Sequence, residues 1–195
     1  AGVRLVSSYP GTPSTEITEY CAKYPEIYAE WAANEKVALE VCAGASMAGA
    51  RSICCMKHVG LNVASDPLYT LAYTGVNGGL LVVVADDAGM HSSQNEQDSR
   101  MHARGSQVPM LEPSDSDECR AFTKLAFELS EKYDTPVFVR TTTRVAHARS
   151  VVHPQERVEA ALKPYQKDIS KWVMMPGMAK GRHVVVEKRM NDLAK

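Results

Sequence analysis

No C-x-x-C pair occurs among the five cysteines of this 195-residue chain, Cys21, Cys42, Cys54, Cys55 and Cys119. Zinc and cubane iron–sulfur sites therefore lack their usual ligand spacing. The odd set reads as reduced, mostly buried thiols of a cytoplasmic protein. Charge of one sign is also lacking. The formal net charge is −1, which leaves neither a nucleic-acid footprint nor a membrane-surface patch. The most apolar helical run, residues 37–50, is interrupted by Glu40 and is too short to span a bilayer. No signal-peptide pattern opens the chain. It starts without methionine and enters a strand almost at once, so it is read as a fragment. The phosphate-cradling signatures G-x-x-x-x-G-K-[ST] and G-x-G-x-x-G are absent after the first strand. So are the nucleophile elbow G-x-S-x-G and the zinc motif H-E-x-x-H. No internal repeat or low-complexity segment is visible.

What is present is alternation. With 45% hydrophobic residues, the chain can bury one sizeable core, with or without a tail. Strands are expected at residues 3–8, 27–31, 52–57, 80–86, near 110 and 137–142. Helices are expected at 13–23, 34–50, 62–73 and 115–133, with a long polar loop running to about 107. The run Leu80-Leu81-Val82-Val83-Val84-Ala85 is continuously apolar, as suits a strand covered on both faces. Ser114, Asp115 and Glu118 resemble a capping box. Strands alternating with helices predict an α/β fold, doubly wound, with a mostly parallel sheet and helices on both faces. From about residue 145 the alternation fades. Residues 151–195 read as a connecting arm after a domain at 1–150, with an amphipathic helix near the end.

The connections are unequal. Helix-to-strand turns are bland. Strand-to-helix loops are chemically loaded: SYPGTPS, WAANE, KHVGLN, DDAGMHSSQNEQDSR and RTTTRVAH. In open α/β sheets ligands bind outside the carboxyl ends of the strands, so the polar residues are concentrated at that rim. This points to a small-molecule site. In the first loop Thr12 suits an N-cap and Pro13 the first helical turn. Its N–H groups and the Thr12 hydroxyl could then meet a carboxylate.

Individual residues leave alternatives open. Glu35 starts a helix rich in alanine, glycine and serine. It reads either as a buried carboxylate beside a ligand or as an exposed first-turn glutamate complementing the helix dipole, and spacing alone favours the second. His58 and Gly60 read equally as a ligand-facing loop or a solvated turn. The loop from Asp86 allows a metal site of Asp86, Asp87 and His91, a serine hydrolase using His91, or a lid carrying substrate contacts. Its length and its place at the rim favour the lid.

Four stretches in order, YPGTPSTEI, EWAANEKVALEVCAGASMAGAR, MKHVGLN and VVVADDAGMHSSQNEQDSR, carry a more specific signal. Together they resemble the α subunits of the indolepyruvate:ferredoxin oxidoreductases, within the thiamine-diphosphate-dependent 2-oxoacid:ferredoxin oxidoreductases. The similarity runs from Gly2 to about Val152 and more loosely through the tail. It implies that residues 1–150 form the domain that binds the cofactor's pyrimidine. Glu35 would then bond the aminopyrimidine N1′ as the catalytic carboxyl. His58, Gly60 and Asn62 would lie under the ring, and Thr12, His58 and His91 would meet the substrate. An arginine that pyruvate-specific relatives use for the substrate carboxylate has no counterpart at residues 87–89, which fits an aryl pyruvate.

The resemblance further implies oxidative decarboxylation to an aryl-acetyl-coenzyme A, with electrons passing through iron–sulfur clusters to ferredoxin. The G-D-G motif of the family's Mg²⁺ and diphosphate site is missing, as are its C-x-x-C runs. Those parts are expected in pyrophosphate-binding and ferredoxin-like domains beyond the arm, with a β subunit as a further partner. Alone, the exposed rim could pair two copies into a homodimer. Two other classes compete: a non-catalytic assembly domain of the same fold, and a standalone hydrolase. Retention of Glu35 with Thr12 argues against the first.

Overall fold

The computed structural model describes residues 1–195. Six strands, β1 (Leu5–Ser8), β2 (Tyr28–Trp31), β3 (Ser52–Lys57), β4 (Leu80–Asp86), β5 (Met110–Leu111) and β6 (Val137–Thr142), form one sheet in the order β2-β1-β3-β4-β6-β5. Every pairing is parallel. Helices α1 (Thr15–Cys21), α2 (Glu35–Met47), α3 (His58–Val63), α4 (Ser65–Thr74), α5 (Arg100–Ser106), α6 (Ser116–Tyr133) and α7 (Thr143–His147) fill the connections, and α8 (Ile169–Trp172) and α9 (Pro176–Leu193) end the chain. The doubly wound expectation holds. The strand order reverses between β1 and β3, so the crevice at their carboxyl ends is the topological switch point.

Two apolar layers sandwich the sheet, and strand pleating assigns residues to them. Cys54, Met56, Leu80, Val82 and Val84 face Ala38, Leu39 and Cys42 of α2, Leu61 of α3 and Leu68 and Leu71 of α4. Their neighbours Ile53, Cys55, Leu81 and Val83 face Ala126 and Phe127 of α6, with Ile17 and Cys21 of α1 at the margin. All of β4 is buried, as its unbroken apolar run predicts. All five thiols are unpaired; three are buried, and Cys21 and Cys119 are half-buried. Asp115 caps α6 by accepting the Glu118 N–H at 2.9 Å, and Glu118 reaches back past the N-cap to accept the Ser114 N–H at 2.8 Å, a variant of the capping box.

Four boundaries differ from the sequence expectation. The first helix starts at Thr15 with Ser14 as its N-cap, because the turn before it closes on itself, Ser14 N–H to the Gly11 carbonyl at 2.7 Å. Residues 58–74 form two helices rather than one beginning at 62. Pro67 has no N–H to give the Val63 carbonyl and its ring would clash there, so the chain breaks at Ala64 and restarts. The polar loop contains α5, which the sequence reading missed. The arm after residue 150 returns to the domain: Arg157 donates to the Val3 carbonyl at 2.8 Å and Lys163 N–H to the Gly49 carbonyl at 3.2 Å. Helix α9 then lies on α4. The stripe it buries is narrow, Val186 and Arg189. Lys171 and Arg182 converge on Asp134 at 2.8 and 3.0 Å.

Candidate functional site

The site builds up from the carboxyl ends of β1, β2, β3 and β4. After β1, the loop at residues 9–14 uses most of its polar groups internally. Gly11 N–H donates to Thr15 Oγ1 at 2.9 Å, and the Ser14 hydroxyl donates to the Gly11 carbonyl at 2.7 Å. The helix that follows is short. The Gly11 and Ser14 N–H groups are thus turned back onto the loop itself. Thr12 is exposed and its hydroxyl has no partner in the chain.

After β2, Asn34 caps α2 by accepting the Val37 N–H at 3.0 Å. This places Glu35 in the first turn. Glu35 is 8% exposed, against the exposed position that spacing alone favoured, and it makes no side-chain hydrogen bond or ion pair. Its carboxyl lies directly over Gly60: a Cβ added there would meet Glu35 Oε1 and lie 2.6 Å from both Cδ and Cγ. Gly60 is thus needed for close approach. It sits within α3 at an ordinary helical φ, so the turn expected there is absent. Burial first, then the Cys42 thiol, then Cys55 and Glu35 push the Cys54 thiol well above its ordinary value. That thiol stays protonated and unreactive.

Lys57 ends β3 and His58 follows it, both buried. His58 Nδ1 accepts the Asp87 N–H at 3.3 Å, and Nε2 faces the Asn95 carbonyl at 3.1 Å. With Nδ1 accepting, Nε2 is the ring's donor to the Asn95 carbonyl. Both ring nitrogens are thus committed to the loop after β4, and neither is left for cofactor or substrate, contrary to the sequence expectation. Lys57 Nζ donates to the Ser92 carbonyl at 2.6 Å. Asn62 is exposed and makes no side-chain bond.

The loop after β4 is anchored by two buried aspartates. Asp86 accepts from Ser99 N–H (3.1 Å), Ser99 Oγ (2.5 Å) and Arg140 Nε (2.8 Å). Asp87 accepts from Ser93 Oγ (2.6 Å), Ser92 N–H (2.7 Å), Thr143 Oγ1 (2.8 Å) and His91 N–H (3.2 Å). The Ser93 hydroxyl first, then the Ser92 N–H, the Thr143 hydroxyl and the His91 N–H, hold the Asp87 carboxyl far below the usual carboxylate range. These oxygens are occupied by protein donors, and no three His, Cys, Asp or Glu side chains gather as a metal site needs. No serine hydroxyl bonds to His91, so the hydrolase reading loses its dyad. His91 instead lines a cavity of about 660 Å³ with Ala88, Thr142, Thr143, Arg144 and His147.

Within this frame the comparisons are informative. The family model described as pyruvate flavodoxin/ferredoxin oxidoreductase, thiamine-diphosphate-binding, matches residues 1–192. The chain belongs to that family. The match includes the arm that folds back on the sheet. Among curated relatives, the indolepyruvate oxidoreductase subunit IorA of Methanothermobacter thermautotrophicus is 49% identical over 99% of this chain and 32% of its own length. That of Pyrococcus horikoshii is 47% identical over 93% and 29%. A 2-oxoglutarate synthase subunit KorA from M. thermautotrophicus is 31% identical over 82% of this chain and 45% of its own. The chain thus spans about a third of the length of the IorA proteins it matches. A solved 2-oxoglutarate:ferredoxin oxidoreductase from Magnetococcus marinus, with 2-oxoglutarate, coenzyme A and succinyl-CoA bound, superposes with a TM-score of 0.74 at 19% identity, over 99% of this chain and 42% of that one. It shares the fold.

The oxidoreductase family binds thiamine diphosphate, and the residues present fit one end of that cofactor. A buried carboxyl without a protein partner, set against a glycine that leaves open space, suits a flat ring carrying a nitrogen. Two residues of the site escaped the sequence reading, Lys57 and Arg140. A lysine closing an otherwise apolar strand, SICCMK, was the available signal. No helix is long and apolar enough to cross a membrane.

Proposed function

We propose that this chain supplies the pyrimidine-facing half of a thiamine diphosphate site in a cytoplasmic enzyme that oxidatively decarboxylates aryl pyruvates, indolepyruvate among them, to the acyl-coenzyme A, with ferredoxin as electron acceptor. The reading rests on Glu35, a buried carboxyl at the rim that is bonded to nothing in the chain and is seated on Gly60. When bound, thiamine diphosphate supplies a nucleophilic carbon for the 2-keto group and takes up the electrons released as CO₂ departs. Glu35 holds and returns a proton at the cofactor's N1′ nitrogen, which Glu or Asp can do and an amide cannot. Gly60 keeps that carboxyl in place. His58 ties down the loop at residues 87–99 so that it covers the site. Thr12, with its unpartnered hydroxyl, meets the 2-oxoacid, with His91, which lines the cavity beside Thr143, as a further substrate contact.

The remaining two-thirds of the polypeptide supplies the Mg²⁺ and diphosphate site and the iron–sulfur domain, with a β subunit completing the enzyme. The aryl preference is supported by the names of the IorA relatives and by the lack of an arginine at residues 87–89. In the complete enzyme Glu35→Gln should fold normally and lose about 10²–10⁴-fold in turnover. Turnover close to wild type at saturating cofactor overturns the role of Glu35. The substrate class is tested by kcat/KM for indolepyruvate, phenylpyruvate and pyruvate, and a tenfold preference for pyruvate overturns it.

A further inference from the structure

The loop after β1 turns the Gly11 and Ser14 N–H groups and the Ser14 hydroxyl back onto itself, and α1 is too short to hold an anion at its start. A 2-oxoacid brings a permanent negative charge to the rim, and a cation makes the strongest hydrogen bonds to it. Most cations nearby are already paired: Lys36 with Asp66 at 2.8 Å, Arg140 with Asp86 at 2.8 Å, Arg100 with Glu112 at 2.9 Å. Lys57 is not. It is 7% exposed, makes no ion pair, and gives one of its three ammonium hydrogens to the Ser92 carbonyl at 2.6 Å. An ammonium held out of water with a single neutral partner is costly, and the two remaining donors have no acceptor in the chain.

Its position is specific. Lys57 closes β3 and is the N-cap of α3, with Gly60 and its Glu35 contact in the first turn of that helix. The lysine stem runs under the loop after β1: a Cβ on Gly11 would lie 3.1 Å from Lys57 Cβ and 3.7 Å from Cδ. The side chain therefore spans the switch-point crevice from the Thr12 loop to the Ser92 loop.

We infer that Lys57 is the anchor for the carboxylate of the 2-oxoacid, in place of the arginine missing at residues 87–89. This rests on the proposed function above. The carboxylate takes the two free ammonium hydrogens between the Thr12 loop and Ser92. The 2-keto carbon is then held near the seat of Glu35 while the aryl group extends outward. A second cation without a partner, Arg144, is exposed on the cavity shared with His91 and His147.

The test uses the complete enzyme with Mg²⁺ and thiamine diphosphate. Indole-3-propionate and its primary amide, which differ only in the charge at the carboxyl, serve as calorimetric ligands. Wild type should bind the carboxylate at least tenfold more tightly than the amide. Lys57→Met should erase that ratio while leaving the cofactor Kd unchanged, and Lys57→Arg should keep most of it. If Lys57 only braces the loop through Ser92, Lys57→Met weakens both ligands equally and preserves the ratio, which overturns the proposal. So does loss of the ratio in Arg144→Gln instead, or a weakened cofactor Kd with the ratio intact in Lys57→Met. Should Lys57→Met fail to fold, Lys57→Gln carries the same comparison. Failure of the wild-type enzyme to bind thiamine diphosphate would count against the proposed function itself and is read separately.

Discussion

Replacing Gly60 by alanine separates the fold from the chemistry. In the interior of α3, alanine is favoured over glycine by about 1 kcal/mol of helix propensity, so the backbone gains. The new methyl, however, would sit on Oε1 of Glu35 and 2.6 Å from Cδ and Cγ. Carbon atoms rest about 3.5–4.0 Å apart, so the glutamate must retreat by about 1 Å. A flexible side chain can do that at small cost, and the melting midpoint should move little in either direction. The carboxyl, though, leaves its place. A displacement of about 1 Å at a reacting group costs about 10²-fold. The assay is kcat/KM with indolepyruvate beside a thermal melt and the cofactor Kd. The decisive control is the double variant. If the methyl acts only by moving Glu35, Gly60→Ala should cost almost nothing further in a Glu35→Gln background. Turnover within threefold of wild type in the single variant, or full additivity in the double, would refute the reasoning.

Other expectations follow from the loop and the arm. Asp87→Asn keeps the size but halves the acceptors met by Ser92, Ser93, His91 and Thr143, so hydrogen exchange across residues 87–99 should quicken at neutral pH while β4 stays protected. Because those donors depress the folded Asp87 value below the unfolded one, the stabilisation is present in full above about pH 4. It is lost as pH falls through the folded value; a loop that loosens between pH 8 and 6 through Asp87 would contradict the assignment. Arg140→Met leaves Asp86, whose side chain is 1% exposed, as an uncompensated buried charge. It should destabilise by about 3–5 kcal/mol, read by urea unfolding, and a loss under 1 kcal/mol would mean that Ser99 alone suffices. The isolated chain should bind thiamine diphosphate with Mg²⁺ only weakly by calorimetry, and a micromolar Kd (about −8 kcal/mol) would show a diphosphate site within these residues.

Much was legible in the sequence because it depends on periodicity and local chemistry. The six strands, their parallel pairing and the loading of the carboxyl rim follow from apolar runs bounded by turn residues. An unbroken run such as residues 80–85 can only be satisfied by cover on both faces. The cap at Asp115 is likewise local, three residues and two hydrogen bonds. Side-chain roles at the rim are not local. Spacing favoured an exposed Glu35, because a first-turn glutamate is usually solvated. It is buried because Gly60, from a different strand-to-helix connection, removes the one atom that would push it out. His58 stayed open between a ligand-facing loop and a solvated turn because nothing in KHVGLN foretells that its nitrogens meet groups 29 and 37 residues away. Lys57 passed for a strand end until Gly11 and Ser92 closed around it. Backbone pattern determines which residues reach the rim. Only the packing of separate loops against one another decides which of them have spent their hydrogen bonds on the protein and which still have them to give.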